Sequence, residues 1–389
     1  MADPKSLQRP ERLASLDAYR GFVMFLMMGE VLRLCAVARK FPDSGFWQFL
    51  CINQSHVEWV GCSLHDLIQP SFSFMVGVAL PFSLLKRRAQ NESEWKLAAH
   101  AFFRAAMLVL LGVFLRSSGH SQTYWTFEDT LSQIGLGYGF LFLLAQRSMR
   151  VQWIAFGTIL LLYWGAFALY PLPGKNISPA VQTLTGFAAH WNKNTNLAWA
   201  FDTWFLNLFP RETPFRFNDG GYATLSFIPT LATMLLGLLA GGVLLGKKTA
   251  WEKVHWLAVA GIVGLCSGWI FGWLGVCPVV KKIWTPSWVL FSGGWCLLLL
   301  AAFYAIMDIL KFRRWAFALT VVGMNSIAAY LIAHWFREFI STSLPRHFGK
   351  DIYLLLGADY QPLTQGMFVL FVYWLILYCM YRSKIFLKI

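Results

Sequence analysis

Four residues with acid–base side chains lie close together in the sequence: His56, Glu58, His65 and Asp66. A neutral imidazole beside a carboxylate can take a proton near neutral pH, so the cluster favours general acid–base chemistry. A His-x-Glu pair followed by His-Asp is only a weak zinc signal, and no metal is expected. Singly, a loop histidine is more often a surface or helix-capping residue. The density of the four favours a catalytic site.

A second cluster, Arg12, Asp17 and Arg20, precedes the first apolar stretch of the chain. Asp17 and Arg20 are three residues apart, so on a helix they share one face and can pair. Guanidinium groups also bind phosphate with two parallel hydrogen bonds. We therefore expect this region to hold a phosphate-bearing ligand, together with further basic residues: Arg87, Arg88 and Arg104.

Several other polar or aromatic side chains lie at the ends of apolar stretches or inside them. An ionisable or amide group at membrane depth needs a hydrogen-bond partner and is a functional candidate by default. Polar contacts between helices are the competing interpretation. The candidates of this kind for binding a substrate are Asn196, Asp202, Asp219, Lys282, Trp284, Asn325 and His334.

The composition indicates that these residues are positioned by membrane-spanning helices. Of 389 residues, 57% are hydrophobic and only 13% are charged, and a span needs about 20 apolar residues. The pattern predicts an all-α polytopic membrane protein with about ten transmembrane helices. It also predicts one domain over residues 1–389, with a cytoplasmic segment at 1–19 and a long outer loop at 172–223. The approximate spans are 20–38, 66–85, 99–116, 131–146, 152–171, 224–246, 255–275, 286–309, 316–335 and 365–382.

The connections between these spans alternate in character. One set is short and basic, as at Lys86-Arg87-Arg88 and Lys247-Lys248, and the other set is long and rich in His, Asn, Asp and Trp. Short basic loops normally face the cytoplasm. We therefore expect both termini in the cytoplasm and His56 on the outer side. In a chain this apolar, the net charge of +14 is ascribed to these loops, and no nucleic-acid partner is expected.

These stretches, in this order, resemble the heparan-α-glucosaminide N-acetyltransferase family and its bacterial relatives. The family pattern R-x-x-S-x-D-x-x-R-G matches Arg12 to Gly21, and H-x-x-W-x-G matches His56, Trp59 and Gly61. A D-L-x-x-P-x-F-x-F pattern follows from Asp66 to Phe74. The resemblance continues weakly through the later candidates and covers almost the whole chain.

The resemblance implies transfer of an acetyl group from cytoplasmic acetyl-CoA to a glucosamine-type amine on the outer side. His56 would then be the catalytic base, polarised by Glu58 or Asp66, or would itself accept the acetyl group. Trp59 joins the candidates for binding the sugar. The resemblance also implies a bacterial inner-membrane location, with the lipid bilayer, acetyl-CoA and an amino-sugar or glycan acceptor as partners, and suggests a homodimer.

The sequence departs from the family at two places. Relatives often have Asn near the outer end of the first span, where this chain has Glu30, so Glu30 is a candidate partner for the base or the substrate amine. Relatives also tend to read L-Q-R-I where this chain has Leu131-Ser132-Gln133-Ile134. Two alternatives stay open at this point: O-acetylation of an envelope glycan, and a small-molecule transporter or flippase.

Overall fold

The computed structural model describes residues 13–172 and 184–387, and its regular structure is helical. Within these residues the only bridge between extended segments joins Val60 to Val280. The α-helices, in chain order, are α1 (Ala14–Met28), α2 (Leu34–Ala38), α3 (Gly45–Gln54), α4 (Ile68–Arg88), α5 (Glu94–Arg116), α6 (Thr130–Ala145), α7 (Met149–Leu169), α8 (Leu197–Phe205), α9 (Phe227–Leu245), α10 (Ala250–Trp273), α11 (Pro286–Tyr304), α12 (Phe317–Gly323), α13 (Ser326–Trp335), α14 (Arg337–Phe348) and α15 (Gln361–Arg382).

Seven of the helical stretches in the described residues are long and apolar enough to cross a bilayer. An eighth would be the pair Arg314–Gly323 and Ser326–Trp335, which is bent by 71°. The all-α membrane class is thereby confirmed. The count of ten stays a prediction, because α1 and α6 have only 15 and 16 residues. The predicted first span, 20–38, is also shifted: α1 begins at Ala14, and the regular helix stops at Met28.

Glycines let the central helices approach closely, as is common in membrane bundles. A methyl group on Gly77 of α4 would overlap the backbone carbonyl of Met234 in α9, and one on Gly237 would overlap that of Phe74. In the same way Gly323 of α12 packs directly on the backbone of Asp17 in α1. Nearly all residues of α9 are buried. These contacts hold α4 directly against α9, and α12 directly against α1.

Helix α4 extends from one end of the bundle to the other. It has 21 residues, which corresponds to about 31 Å at 1.5 Å per residue. His65 and Asp66 lie just before its first turn, and Arg87 and Arg88 end it. We call these the His56 end and the basic-turn end. Helix α1 runs the opposite way, since Glu30, just beyond it, contacts His65.

Candidate active site at the His56 end

His56 is oriented by a buried carboxylate. Its Nδ1 lies 2.7 Å from Oδ1 of Asp66, and 40% of the His56 side chain is exposed against 1% of Asp66. With Nδ1 held by the carboxylate, the Nε2 atom is left as the proton acceptor. This is the arrangement that a general base needs.

The loop between α3 and α4 holds Asp66 in place. Its Oδ2 accepts hydrogen bonds from the backbone N–H of Val57 at 3.2 Å and of Ser63 at 3.1 Å, and from the Ser63 hydroxyl at 3.0 Å. Gly61 turns this loop with φ +121°, a conformation that strongly favours glycine. Its N–H donates to the carbonyl of Val279, 2.9 Å away. The loop is thus fixed to the segment that leads into α11.

That segment carries Lys281, which completes the site. The Lys281 Nζ lies 3.2 Å from Oδ1 of Asp66 and 3.1 Å from Nδ1 of His56. Only 5% of its side chain is exposed. A buried ion pair of this kind cancels much of the charge of Asp66. Asp66 therefore orients the imidazole without making it strongly basic.

The electrostatics keep His56 neutral near physiological pH. Burial lowers the pKa of the His56 imidazole, and the nearby Lys281 ammonium lowers it further, against the opposing hydrogen bond to Asp66. Burial also lowers the pKa of Lys281, while Asp66 opposes that change. An uncharged imidazole with a free Nε2 can accept a proton from an ammonium group.

A second histidine–carboxylate pair lies beside the first. The His65 Nε2 is 2.7 Å from Oε1 of Glu30, and the rings of His65 and His56 are 4.6 Å apart. Gln54 fixes the backbone on both sides of Glu30, since it donates to the Gly29 carbonyl and accepts from the N–H of Leu34. More than half of the Glu30 side chain is exposed. The structure therefore places this predicted residue next to the His56–His65 pair, open to a ligand.

The predicted residues Glu58 and Lys282 lie at the rim of the site. The Lys282 Nζ donates to the backbone carbonyl of Glu58 at 2.7 Å and lies 5.6 Å from the ring centroid of Tyr222. Within the described residues no hydrogen bond joins the Glu58 carboxylate to His56. Of the two predicted polarising groups, the structure therefore brings only Asp66 to the imidazole.

Three predicted substrate contacts are buried parts of the scaffold instead. The Trp59 indole donates to the carbonyl of Trp191. Asn196 caps α8 by accepting from the N–H of Trp199, and the Trp284 indole donates to the Thr233 hydroxyl. The exposed fraction is 5% for Trp59, 2% for Asn196 and 1% for Trp284. Their contacts position the loops around His56 and leave little surface for a ligand.

Three further candidates lie around the same end. Oδ2 of Asp202 accepts from the N–H of Thr224, and burial raises the pKa of Asp202 to about 7. Asp219 lies on the wall of a surface cleft. His334 stacks on Tyr330 and interacts electrostatically with Glu30.

Asn325 does not share the site. Its side chain donates to the carbonyl of Ile385 and accepts from the N–H of Leu387, both beyond the end of α15. Gly366, at the other end of α15, packs on Val31 beside Glu30. From Gly366 to the end of that helix is about 24 Å. The expected contact of Asn325 with the reacting groups is therefore not seen, because its amide anchors the C-terminal tail.

The predicted phosphate contacts mostly lie at the basic-turn end, where they are ion-paired. Arg88 pairs with Glu94 at 2.9 Å, Arg87 with Glu92 at 3.5 Å, and Arg20 with Asp17 at 3.5 Å. Arg12 lies outside the described residues.

Arg104 differs from the other arginines in its depth. It lies ten residues into α5, about 15 Å along the helix. Its guanidinium is 4.8 Å from the ring centroid of Tyr138. It therefore lies at membrane depth and not in a loop.

Sequence reasoning missed two features of this end. The first is Lys281: the pair Lys281-Lys282 is visible, but nothing in it shows which lysine points inward. The second is a disulfide between Cys35 and Cys51, which ties α2 to α3. The predicted first span, 20–38, includes Cys35, whereas the structure ends α1 at Met28 and places Cys35 in α2, with its Cα 4.4 Å from that of Cys51.

Fold and site together define an all-α membrane protein with a histidine–aspartate–lysine cluster at one end and basic turns at the other. Comparison with protein-family models finds no match. The chain is similar to heparan-α-glucosaminide N-acetyltransferase of Homo sapiens, with 22% identity over 98% of the chain, and to that of Mus musculus, with 23% over 100%. It is a relative of this family. It spans 60% and 63% of the length of these two proteins.

Proposed function

We propose that this protein transfers the acetyl group of cytoplasmic acetyl-CoA to the amine of a glucosamine-type sugar at the His56 end. The observation that carries the proposal is the His56–Asp66–Lys281 arrangement, in which a neutral, oriented imidazole is half open to a ligand. The similarity to acetyltransferases named for an amino-sugar acceptor supports the choice of reaction.

Acetyl transfer to an amine requires removal of a proton and a close approach of the reactants. Nε2 of His56 would take a proton from the sugar ammonium, and the freed amine would attack the thioester carbonyl. A C–N bond forms, the nitrogen loses its second proton as the C–S bond breaks, and the departing CoA thiolate takes up a proton to give the free thiol. The exposed Glu30 carboxylate, close to the base, suits the role of holding the ammonium before transfer.

Two observations support the proposed sidedness. The disulfide Cys35–Cys51 lies in the connection that leads from Glu30 to His56, and disulfides persist in oxidising compartments. The basic turns, with Arg87 and Arg88, lie at the other end of α4, as cytoplasmic loops commonly do. The proposal therefore puts the phosphates of acetyl-CoA at the basic-turn end and the acceptor at the His56 end, in a bacterial inner membrane.

The proposal is tested with purified protein, labelled acetyl-CoA and glucosamine. His56→Ala should lower acetyl transfer by about 10²–10⁴-fold, the usual contribution of a positioned acid–base group. His347→Ala, a change at an exposed histidine of α14, serves as the matched control and should keep wild-type activity. Wild-type turnover by His56→Ala would refute the assignment.

The transporter alternative is tested in the same preparation. Uptake of labelled sugar into proteoliposomes without any acetylated product would refute the transferase proposal. A burst of acetylated protein that is lost in His56→Ala would instead show that the imidazole carries the acetyl group between substrates.

A further inference from the structure

A cleft separate from the histidine pair lies between two loops at the His56 end. It is formed by residues 120–125, which follow α5, and residues 210–219, which follow α8. Its volume is about 650 Å³, within the range of sites that hold small ligands. The residues that matter for its chemistry are Tyr124, Trp125, Arg211, Phe215, Arg216 and Phe217.

The two loops are fixed to each other without any ligand. Nη1 of Arg211 donates to the carbonyl of Trp125 at 2.7 Å, and its guanidinium lies 5.0 Å from the ring of Tyr124 and 5.6 Å from that of Phe215. Glu212 accepts hydrogen bonds from the backbone and hydroxyl of Ser121. A cleft tied in this way loses little conformational entropy when it binds a ligand.

The lining is aromatic and electrically balanced. Phe217 is 56% exposed, so its ring is open to a ligand. The charged side chains are two arginines, Arg211 and Arg216, and two carboxylates, Glu212 and Asp219. The charges of these four side chains sum to zero, so they provide no excess positive charge for a polyanion. Aromatic faces with interspersed polar groups suit the C–H faces and hydroxyls of sugar rings.

A short path of contacts joins this cleft to the base. Asp219 belongs to a turn in which the N–H of Tyr222 donates to the side chain of Asn218. The ring of Tyr222 faces Lys282 at 5.6 Å, and Lys282 donates to the carbonyl of Glu58, two residues from His56. The cleft and His56 are therefore linked through Tyr222, Lys282 and the Glu58 carbonyl, on the same end of the bundle.

We infer that the acceptor is an oligosaccharide without net negative charge, whose sugars distal to the reacting glucosamine lie in this cleft. The inference rests on the proposed function, since it takes the end of the chain at His56 to be the acetylated amine. According to this inference, the loops at 120–125 and 210–219 select the acceptor by its length and its charge. The mechanism at His56 does not use these loops.

Binding tests the cleft without requiring turnover. The probe is a tetrasaccharide of β-1,4-linked N-acetylglucosamine, which has no free amine, measured by calorimetry on the full chain. Phe217→Ala should weaken its binding about tenfold, the scale of losing one or two aromatic contacts. Phe348→Ala removes a ring that is 69% exposed in α14 and should leave binding unchanged. Equal affinity in wild type and Phe217→Ala, or no binding to the wild type, would overturn the inference.

Transfer assays then separate this inference from the proposed function. The acceptors are glucosamine, a neutral tetrasaccharide with one terminal glucosamine, and a sulfated tetrasaccharide with the same terminus. Wild type should favour the neutral tetrasaccharide about tenfold in kcat/KM over glucosamine, and Phe217→Ala should lose that preference while acetylating glucosamine normally. Equal rates for all three acceptors, or a preference for the sulfated one, would overturn the inference. Failure to acetylate any of them, with tetrasaccharide binding intact, would refute the proposed function and leave the cleft as an oligosaccharide-binding site without a role in acetylation.

Discussion

Lys281→Met should raise the pKa of His56 and move the acidic limb of the activity profile to higher pH. In the wild type, the Lys281 ammonium lies 3.1 Å from Nδ1 of His56 and disfavours a second positive charge on the imidazole. Methionine fills a similar volume without the charge. The carboxylate of Asp66 is then no longer neutralised, which further favours the imidazolium form.

The size of this effect follows from the geometry. Two unit charges about 4 Å apart interact with about 1 kcal/mol in water and about 4 kcal/mol at an effective dielectric constant of about 20. Because 40% of the His56 side chain is exposed, solvent screening places the interaction in the lower part of that range. About 1–2 kcal/mol corresponds to a rise of about one pKa unit.

The assay is kcat/KM for acetyl transfer to glucosamine as a function of pH. Wild-type activity should fall only below the ordinary histidine pKa of about 6.5, because the pKa of His56 is lowered. In Lys281→Met the fall should begin about one pH unit higher. Lys282→Met is the matched control, since Lys282 contacts the carbonyl of Glu58 and not Asp66. An unchanged profile in Lys281→Met, with the protein folded, would refute the electrostatic reasoning.

Three further perturbations have defined outcomes. Glu30→Gln should lower kcat/KM for the amine about tenfold or more, the scale of a charge-assisted hydrogen bond, whereas unchanged kinetics would show that the carboxylate does not hold the ammonium. Asp202→Asn should gain thermal stability relative to wild type as pH rises from 5 to 8: the folded-state pKa of about 7 means that the folded protein binds a proton there which the unfolded chain has released. A melting-point difference that is constant over this range would contradict the burial argument. Replacing Cys35 and Cys51 by serine should cost about 2–4 kcal/mol of stability, measured by unfolding under non-reducing conditions, and a loss that persists when both proteins are fully reduced would show a different cause.

The sequence predicted the acid–base cluster because its members are close along the chain. His56 and Asp66 are only ten residues apart, and one loop brings them into contact. The charge of the connections likewise predicted that Arg87 and Arg88 lie at the opposite end of the bundle. Both inferences depend on local order and on the length of a helix, which a sequence specifies well.

Other parts of the site depend on contacts between distant segments. Lys281 reaches Asp66 only because the bridge between Val60 and Val280 aligns the two loops, and no periodicity of the sequence encodes that pairing. Asn325 was expected at the site because an amide in an apolar stretch needs a partner. The structure provides the partner in the C-terminal tail at Ile385 and Leu387.

The proposed separation of donor and acceptor is tested most directly with protein oriented in sealed proteoliposomes. Acetyl-CoA is supplied only on the side of the basic turns and glucosamine only on the side of His56, with His56→Ala as the inactive control. The account predicts that acetylated sugar accumulates on the His56 side while free CoA appears on the other. Product formed only when both substrates share one compartment would contradict it.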